Sequence, residues 1–392
     1  MNPTTIIFLT VFIDLIGFGI IIPLMPFYAE TFGASALTIG LLSTSFSFMQ
    51  FVFAPFWGRL SDRIGRRPVI LIGLFGSFLS YLVFGLAHSL VVLFVARICA
   101  GVAGANIATA QAYMADLTTP ENRAKGMGLV GAAFGLGFIF GPAIGGFLSR
   151  YGYQAPFFFA AALSLANFAA AWFVLPESRK TAAVDQPKLS RLEALRAAAT
   201  RPGMPALLLI YFLVIAAFSS FEATFALFSE LRFGFTATTI GYIFAFSGVV
   251  LSIVQGGLVG RMAKRFGEHR IVPAAILFLA AGLALIPASH SLAMLLAATA
   301  LLSIGMGFNS PSITSLISRR SRADGQGAIL GVSQSMASLA RILGPAAGGF
   351  VYDRYGPVTP YLTAASLMTV ACAISLATVA REPGSGRGQT PP

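Results

Sequence analysis

Charged residues are scarce in this 392-residue chain, where Asp, Glu, Lys and Arg together make up only 10%. Soluble domains carry about 25%, so this composition excludes an ordinary soluble globular protein. Cysteine is nearly absent, with only Cys99 and Cys372 in the whole chain. Neither a disulfide framework nor a cysteine metal site is therefore expected. The whole chain is 56% hydrophobic, with a mean hydropathy of +0.81. These values are typical of an integral membrane protein.

The apolar residues are arranged in runs of about 20, the length of a membrane-spanning helix. We predict an all-α membrane protein with twelve transmembrane helices. No Lys or Arg precedes the first run, so we interpret it as a retained helix and not a signal peptide. The predicted spans are roughly 4–28, 38–58, 68–88, 90–115, 125–149, 155–175, 204–228, 237–261, 270–288, 291–317, 326–350 and 358–380.

The net charge of +12 indicates topology and not binding to nucleic acid. Nearly every Lys and Arg falls in loops on one side of the spans. Arg150, Arg232 and Arg354 are the exceptions among the loops, and Arg97 and Arg341 lie inside spans. Because positive charge stays cytoplasmic, we expect both termini and the central loop in the cytoplasm, and a multi-pass protein of the cell membrane, in bacteria the inner membrane.

Two sequence motifs recur at nearly one offset, which predicts duplicated halves. GPAIGGF at 141–147 returns as GPAAGGF at 344–350, and GRLSDRIG at 58–65 returns as GRMAKRFG at 260–267. Two six-helix bundles of this kind suit alternating access about a site near the bilayer midplane. The predicted domains are an N-terminal bundle at 1–175, a cytoplasmic linker at 176–203, a C-terminal bundle at 204–380 and a disordered tail at 381–392.

Asp14 stands alone in an apolar stretch long enough to cross a bilayer. An intramembrane carboxyl is costly, which indicates proton carriage or cation recognition. Arg97 lies inside the fourth predicted helix, and we place it near a titrating carboxylate, with a purely structural arginine as the alternative. Together with Glu222 on the seventh helix, Asp14 and Arg97 are the predicted proton-coupling residues.

Aromatic side chains share a helical stripe with Glu222 and could cradle a flat or cationic solute; a lipid-facing stripe is the alternative. Gln111 lies on the same helical face as Arg97. Asn309 is a polar group at membrane depth, where either a substrate contact or a helix–helix hydrogen bond would satisfy it. The predicted substrate-binding residues are Asp14, Gln111, Phe218, Glu222, Phe225 and Asn309.

The segment GRLSDRIGRR at 58–67 crowds five charges into a short loop. Asp62 could cap a helix start or pair with a nearby arginine. The second copy replaces Asp62 by Lys264 and Arg66 by Glu268, so the first copy is interpreted as a conformational latch, with a topology anchor as the alternative. The predicted latch residues are Gly58, Asp62, Arg63, Gly65, Arg66 and Arg67.

Small residues form a stripe on the fifth predicted helix, where Gly137, Gly141 and Gly145 are spaced by four and accompany Pro142 and Gly146. Such a stripe lets another helix approach to backbone contact. We predict a seam between the two halves here, with ordinary tight packing as the alternative.

These motifs together resemble the major facilitator superfamily, in its twelve-helix drug:proton antiporter branch. The segment 58–67 resembles the family loop signature and 137–146 its antiporter signature, both without a mismatch. Arg97 with Gly101 resembles the fourth-helix coupling signature, although Ala100 departs from it. Within the branch, the strings SDRIGRRPV and GLGFIFGPAIGGF are most similar to tetracycline:proton antiporters. Those exporters carry further acids on the third and ninth helices, where this chain has Ser80 and no acid.

The resemblance implies a proton-coupled antiporter that exports small amphipathic or cationic compounds. A proton symporter for a sugar, organic acid or peptide is one alternative, and a non-transporting receptor or scaffold is another. No nucleophile–base pair or phosphate loop points to an enzyme. We expect no cofactor besides the coupling proton, no metal and no nucleic-acid partner, and we assume a monomer in the lipid bilayer.

Overall fold

The structure is a computed structural model that describes residues 3–104, 107–119, 122–178, 193, 196, 200–321 and 326–378. Most of the predicted linker and the whole predicted tail lie outside the described residues. Those that are described form helices and turns, without a β-strand. The helices are α1 Pro3–Glu30, α2 Ala36–Ile64, α3 Arg66–Gly85, α4a Leu90–Ala103, α4b Ile107–Leu117, α5 Arg123–Leu148, α6 Ala155–Val174, α7 Met204–Phe233, α8 Ala237–Phe266, α9 Glu268–Ala288, α10 Leu292–Arg319, α11 Gln326–Tyr355 and α12 Thr359–Thr378.

Each of the twelve predicted spans corresponds to a helix or, for the fourth, to two helical segments. In the described part of the chain, ten helices are long and apolar enough to cross a membrane. The other two spans are α4a with α4b, between which residues 105–106 are not described, and α11, which contains Arg341 and several serines and glutamines. The all-α membrane fold expected from the sequence is confirmed.

One helix departs from the regular pattern that the hydropathy predicts. In α8, residues Val254–Leu258 form a π-helical turn between Ala237–Ile253 and Val259–Phe266. In the fourth span, α4a ends at Ala103 and α4b begins at Ile107, and residues 105–106 between them are not described. A π-helical turn changes the direction of side chains beyond it, and a sequence window averaging hydropathy cannot detect it.

The described residues group into two compact units. The first contains the described residues of 1–186 together with 218–249 and 341–360, and the second contains the described residues of 187–217, 250–340 and 361–392. The boundaries in the second half fall within α7, within α8, between residues 340 and 341 of α11 and between residues 360 and 361 of α12. The division into halves at the linker stays a prediction, because these units cut across four helices of the second half.

Two close helix contacts in the first unit are equivalent under the sequence repeat. Gly40 of α2 lies against the backbone of Pro345 in α11, and Gly241 of α8 lies against the backbone of Pro142 in α5. The α2–α11 contact is reinforced by Asp353, whose carboxylate accepts hydrogen bonds from the backbone nitrogens of Ala36 at 3.1 Å and Leu37 at 2.9 Å. A larger residue would not fit at these positions, because its Cβ atom would collide with the facing backbone.

The second unit has its own tightly packed pair, α9 and α10. Gly282 of α9 lies against the carbonyl of Ala298, and Gly305 of α10 lies against the carbonyl of Ala275. These reciprocal contacts bring the two helices close along most of their length. Cys372 of α12 is buried and its thiol lies 3.7 Å from the carbonyl oxygen of Pro273, so it packs as a small core residue.

Candidate transport site

Asp14 lies midway along α1 and is only partly buried, although its Oδ1 atom is inaccessible. Its carboxyl group faces the Ser77 hydroxyl group of α3. Among the described residues, Oδ1 has no hydrogen-bond partner. A carboxylate has room for about four hydrogen bonds, so most of the capacity of this group is unused. Asp14 is therefore available to a proton or to another ligand.

Arg97 lies in α4a and is 5% exposed. Its Nε atom donates to the carbonyl oxygen of Leu42 at 3.4 Å, and its guanidinium stacks over the Phe46 ring at 4.5 Å from the ring centre. Both contacts come from α2. Because a buried arginine must find acceptors or an aromatic face, α2 holds this side chain in place, and Nη1 is left without a partner in the described structure.

The predicted proximity of Asp14 and Arg97 takes an indirect form. No ion pair joins them among the described residues. Instead, Tyr81 on α3 lies within electrostatic range of both side chains. Ser77 and Tyr81 were not predicted as site residues. Their spacing of four places them on one face of α3, but sequence alone could not show that this face meets Asp14.

Glu222 lies in the first unit, on the part of α7 beyond the boundary. It is partly exposed and interacts electrostatically with Arg341 of α11. Phe218, one turn away, is also partly exposed, and its ring centre lies 5.7 Å from that of Phe221. Arg341 has no counterpart in the first half, where Phe138 occupies the equivalent position, so this acid–base pair is specific to the second half.

Two predicted substrate-binding residues are placed in the protein interior. Phe225 is fully buried and packs between Phe221 and Phe244, at ring-centre distances of 4.9 and 5.5 Å. Asn309 is 1% exposed, and neither polar atom of its side chain has a partner in the described residues. Gln111 is exposed on α4b. In this conformation, Phe225 and Asn309 are buried, and their assignment as substrate contacts stays a prediction.

The predicted latch is a network around Arg66, the first residue of α3. Its Nη1 donates to Asp62 and to Ser61, both at 2.7 Å, and its Nε donates to Asp116 at 3.2 Å. Asp62 lies in the last turn of α2 and pairs with an arginine, as one of its two expected roles required. Because Asp116 belongs to α4b, Arg66 connects the ends of three helices.

The backbone at the start of α3 is held by a residue outside the predicted latch. The Glu177 carboxylate accepts hydrogen bonds from the backbone nitrogens of Arg66 at 2.9 Å and Arg67 at 3.1 Å. Arg67 in turn lies over the Trp172 ring at 5.9 Å and donates to the Trp172 carbonyl oxygen. Both partners come from the end of α6 and the residues directly after it. Arg63 is exposed, and a methyl group added at Gly58 would meet no atom within 4 Å.

The three glycines of the α5 stripe pack inside their own half. Gly137 lies against Leu15, Gly141 against Gly19 and Gly145 against Ile20, all on α1. Other positions of α5 reach across the repeat to α8: Pro142 and Gly146 lie against Gly241, and Phe138 and Ile139 lie against Gly248. The contact between the halves that was expected here thus involves Pro142 and Gly146 and not the stripe of three glycines. The helical spacing predicted close contact correctly but could not identify the partner helix.

A multi-pass helical membrane fold with acids and arginines inside its spans is typical of a membrane transporter. A model of the Major Facilitator Superfamily matches residues 7–261 and 256–391. The chain belongs to this family.

Relatives of known function are similar over nearly the whole chain. Multidrug resistance protein 2 of Bacillus subtilis (strain 168) is 32% identical over 372 residues, 93% of this chain and 92% of that protein. Tetracycline resistance protein, class E, of Escherichia coli is 35% identical over 360 residues, 90% of this chain and 89% of that protein. The crystal structure of the human organic anion transporter MFSD10 is 28% identical, with a TM-score of 0.72, and covers 95% of this chain and 98% of that one.

Proposed function

We propose that this protein is a proton-coupled antiporter that exports small amphipathic compounds, preferentially cations, by alternating access. The observation that carries the proposal is Asp14: an intramembrane carboxyl, partly accessible, with one oxygen unpartnered among the described residues and no direct counter-ion. Such a group can exchange a proton for a cationic solute at low cost, because no existing ion pair has to be broken. The multidrug and tetracycline resistance relatives support the same direction of transport.

The cycle that we propose uses Asp14 as the exchange point. Substrate enters from the cytoplasm and contacts Asp14, with Phe218 and Glu222 as further contacts. After the change of access, a proton binds the carboxyl and displaces the substrate. The neutral site returns and releases its proton to the cytoplasm. The membrane potential contributes about 2.3 kcal/mol per charge per 100 mV, so an exchange that moves net charge is driven by potential as well as by the pH gradient.

Several further properties belong to the same proposal. Both termini and the 58–67 loop face the cytoplasm, which follows from the distribution of Lys and Arg. The bilayer is the bacterial inner membrane, the protein acts as a monomer, and the proton is the sole coupling ion. No catalytic chemistry and no cofactor are proposed.

The test is proton movement in proteoliposomes with an acidic lumen and a lumenal pH dye. Lipophilic cations, tetracyclines, sugars and organic acids are added in turn to the wild type and to Asp14→Asn. We expect cations to collapse the gradient in the wild type only, because the amide can neither bind nor release a proton. Comparison with Glu222→Gln shows whether the second-half acid is also required.

A response to sugars or organic acids, with none to cations, would move the protein to the symporter hypothesis. A normal cation response in Asp14→Asn, at equal protein abundance, would refute the assignment of Asp14. The variant is expected to remain folded, because the carboxyl has few partners to lose, and thermal unfolding of the purified protein checks this directly.

A further inference from the structure

We propose that Tyr81 is a positioning residue that connects Asp14 to Arg97 through its hydroxyl group, so that proton exchange at one side chain is transmitted to the other. The inference rests on the proposed antiport function and adds a residue to it. It comes from the packing of three helices, α1, α3 and α4a, around one buried phenol that is 5% exposed.

The contact between α1 and α3 places the Tyr81 hydroxyl one turn from Asp14. The Asp14 carboxyl group faces the Ser77 hydroxyl group. A methyl group built on Gly17 would lie 2.9 Å from the Tyr81 hydroxyl oxygen and 2.9 Å from its Cε2 atom. Asp14 and Gly17 are three residues apart on α1, and Ser77 and Tyr81 are four apart on α3, so each pair lies on one helical face. The missing side chain of Gly17 leaves the space that the hydroxyl occupies.

The contact between α3 and α4a places Arg97 at the same level. These helices are consecutive and antiparallel, and Gly76 of α3 packs directly against Ala103 of α4a. Counting five residues along α3 from Gly76 reaches Tyr81, and counting six back along α4a from Ala103 reaches Arg97. At 1.5 Å per residue, the two side chains originate within about 1.5 Å of the same height. Tyr81 accordingly lies within electrostatic range of Arg97 as well as of Asp14.

The hydrogen-bonding capacities of the three groups are complementary. Within the described structure, Oδ1 of Asp14 is a buried acceptor without a partner, and Nη1 of Arg97 is a buried donor without one. A phenol hydroxyl can accept from a guanidinium and donate to a carboxylate at the same time. A direct arginine–carboxylate pair would hold the carboxylate ionised strongly. An intervening neutral hydroxyl transmits a weaker effect, which leaves the carboxyl able to exchange its proton.

Tyr81→Phe tests the inference, because it removes the hydroxyl and keeps the ring. The matched control is Tyr28→Phe, a tyrosine that is 2% exposed and donates to the Ala87 carbonyl oxygen at 2.8 Å. Two assays on proteoliposomes are compared, with a lipophilic cation to which the wild type responds. One is cation-driven collapse of the pH gradient, and the other is counterflow of labelled against unlabelled cation without a pH gradient.

We expect Tyr81→Phe to lose most of the proton exchange while counterflow and the unfolding temperature stay near those of Tyr28→Phe. Counterflow needs binding and the change of access but no net proton release, so a residue that only packs the core would not separate the two assays. Wild-type proton exchange in Tyr81→Phe would overturn the inference. Equal loss of exchange and counterflow in a folded variant would also overturn it, because Tyr81 would then act on binding or on access.

Gly17→Ala gives a second approach that leaves tyrosine in place. The added methyl would displace the hydroxyl, so this variant should reproduce the loss of proton exchange, and Tyr81→Phe combined with it should add little. Gly128→Ala is the control, because a methyl there meets no atom within 4 Å. A full additive loss in the double variant would argue against a shared mechanism. A wild type without a proton response to any compound would refute the proposed function itself, and the role of Tyr81 with it.

Discussion

The two copies of the short charged loop, at 58–67 and 260–269, carry opposite charges at two equivalent positions, Asp62 with Lys264 and Arg66 with Glu268. In the first copy, Arg66 begins α3 and pairs with Asp116 at the end of α4b. In the second copy, Glu268 begins α9 and pairs with Arg319 at the end of α10, at 3.0 Å. Arg66 and Glu268 are 202 positions apart, and Asp116 and Arg319 are 203 positions apart. The ion pair therefore has the same place in both copies, with the charges exchanged.

The inversion has a consequence for the backbone at each helix start. A helix N-terminus carries partial positive charge and unpaired N–H groups, and it is stabilised by a carboxylate. Glu268 meets this need by its own position in the first turn of α9. In α3 the same place is occupied by Arg66 and Arg67, which are unfavourable there. Glu177 supplies the carboxylate instead, from the residues after α6.

Both copies form an ion pair between the start of one helix and the end of a neighbouring helix. The sign is free to change when another residue supplies the carboxylate for the N-terminus. The first copy therefore depends on a residue outside the repeat, and the second copy does not. This dependence ties the first loop to the beginning of the central linker.

The largest expected effect comes from forcing the second-half sign onto the first copy. Arg66→Glu would place a carboxylate beside Asp62, Asp116 and Glu177, and it would break a pair in which the Arg66 side chain is only 14% exposed. We expect a loss of about 4 kcal/mol in the free energy of unfolding, toward the range for breaking a buried pair. Denaturant titration in mixed micelles measures it, and cation-driven proton exchange should fall with it.

The double variant Arg66→Glu with Asp116→Arg copies the second half and distinguishes pairing from position. It should recover a substantial part of the loss, because the ion pair is restored. Recovery should stay incomplete, because Asp62 and Glu177 remain near the new carboxylate. If the double variant were no better than Arg66→Glu alone, the two copies would not be interchangeable ion pairs and the comparison would fail.

How far the sequence predicts this molecule can be followed at the same loop. The repeat, the twelve helices and the charged loop itself were predictable, because they depend on hydropathy, charge and local motif. Glu177 as the partner of α3 was not, because it lies 111 residues from Arg66 and no periodicity connects them. Glu177 itself can be recognised as an acidic residue of the predicted linker. Its partners are backbone N–H groups of α3, and the sequence gives no sign of such a contact.

The candidate site shows the same limit. Asp14, Arg97 and Glu222 could be predicted because intramembrane charge is costly and rare. Tyr81 could not, because a tyrosine in a transmembrane helix is unremarkable until its neighbours are known. Phe225 and Asn309 lie on suitable helices but face the interior. Helical spacing gives the face that residues share, and it does not give the element that this face meets.

An intermediate effect is expected when the turn glycines of the two copies are compared. Gly65 has φ 103° and ψ 163°, and Gly267 has φ 77° and ψ 150°, a region that is essentially restricted to glycine. Alanine at either position should cost about 2 kcal/mol. At Gly65 the new methyl would also collide with the Glu177 carboxylate, so its loss should reach about 3 kcal/mol once the cap is included.

The additional loss of stability in Gly65→Ala, compared with Gly267→Ala, should disappear when Glu177 is absent. The two residues can therefore be tested in a double-mutant cycle. Gly65→Ala measured in a Glu177→Ala background should cost about the same as Gly267→Ala, within about 0.5 kcal/mol. The methyl on Gly267 meets only the His269 ring, which can turn away. An equal cost for both glycines in the wild-type background would show that the Glu177 contact contributes nothing.

The smallest expected effect is that of Glu177→Gln, which bears most directly on the difference between the copies. The amide can accept one of the two backbone hydrogen bonds but carries no charge to oppose the α3 N-terminus. We expect a loss of about 1 kcal/mol, in the range for a helix cap. Ser178→Ala is the control, since it removes a neighbouring hydrogen bond to Asp116 and leaves the cap intact.

Because Arg66 keeps both carboxylate partners, proton exchange should persist in Glu177→Gln. A loss as large as that of Arg66→Glu would instead make the linker residue, and not the ion pair, the main support of the first loop.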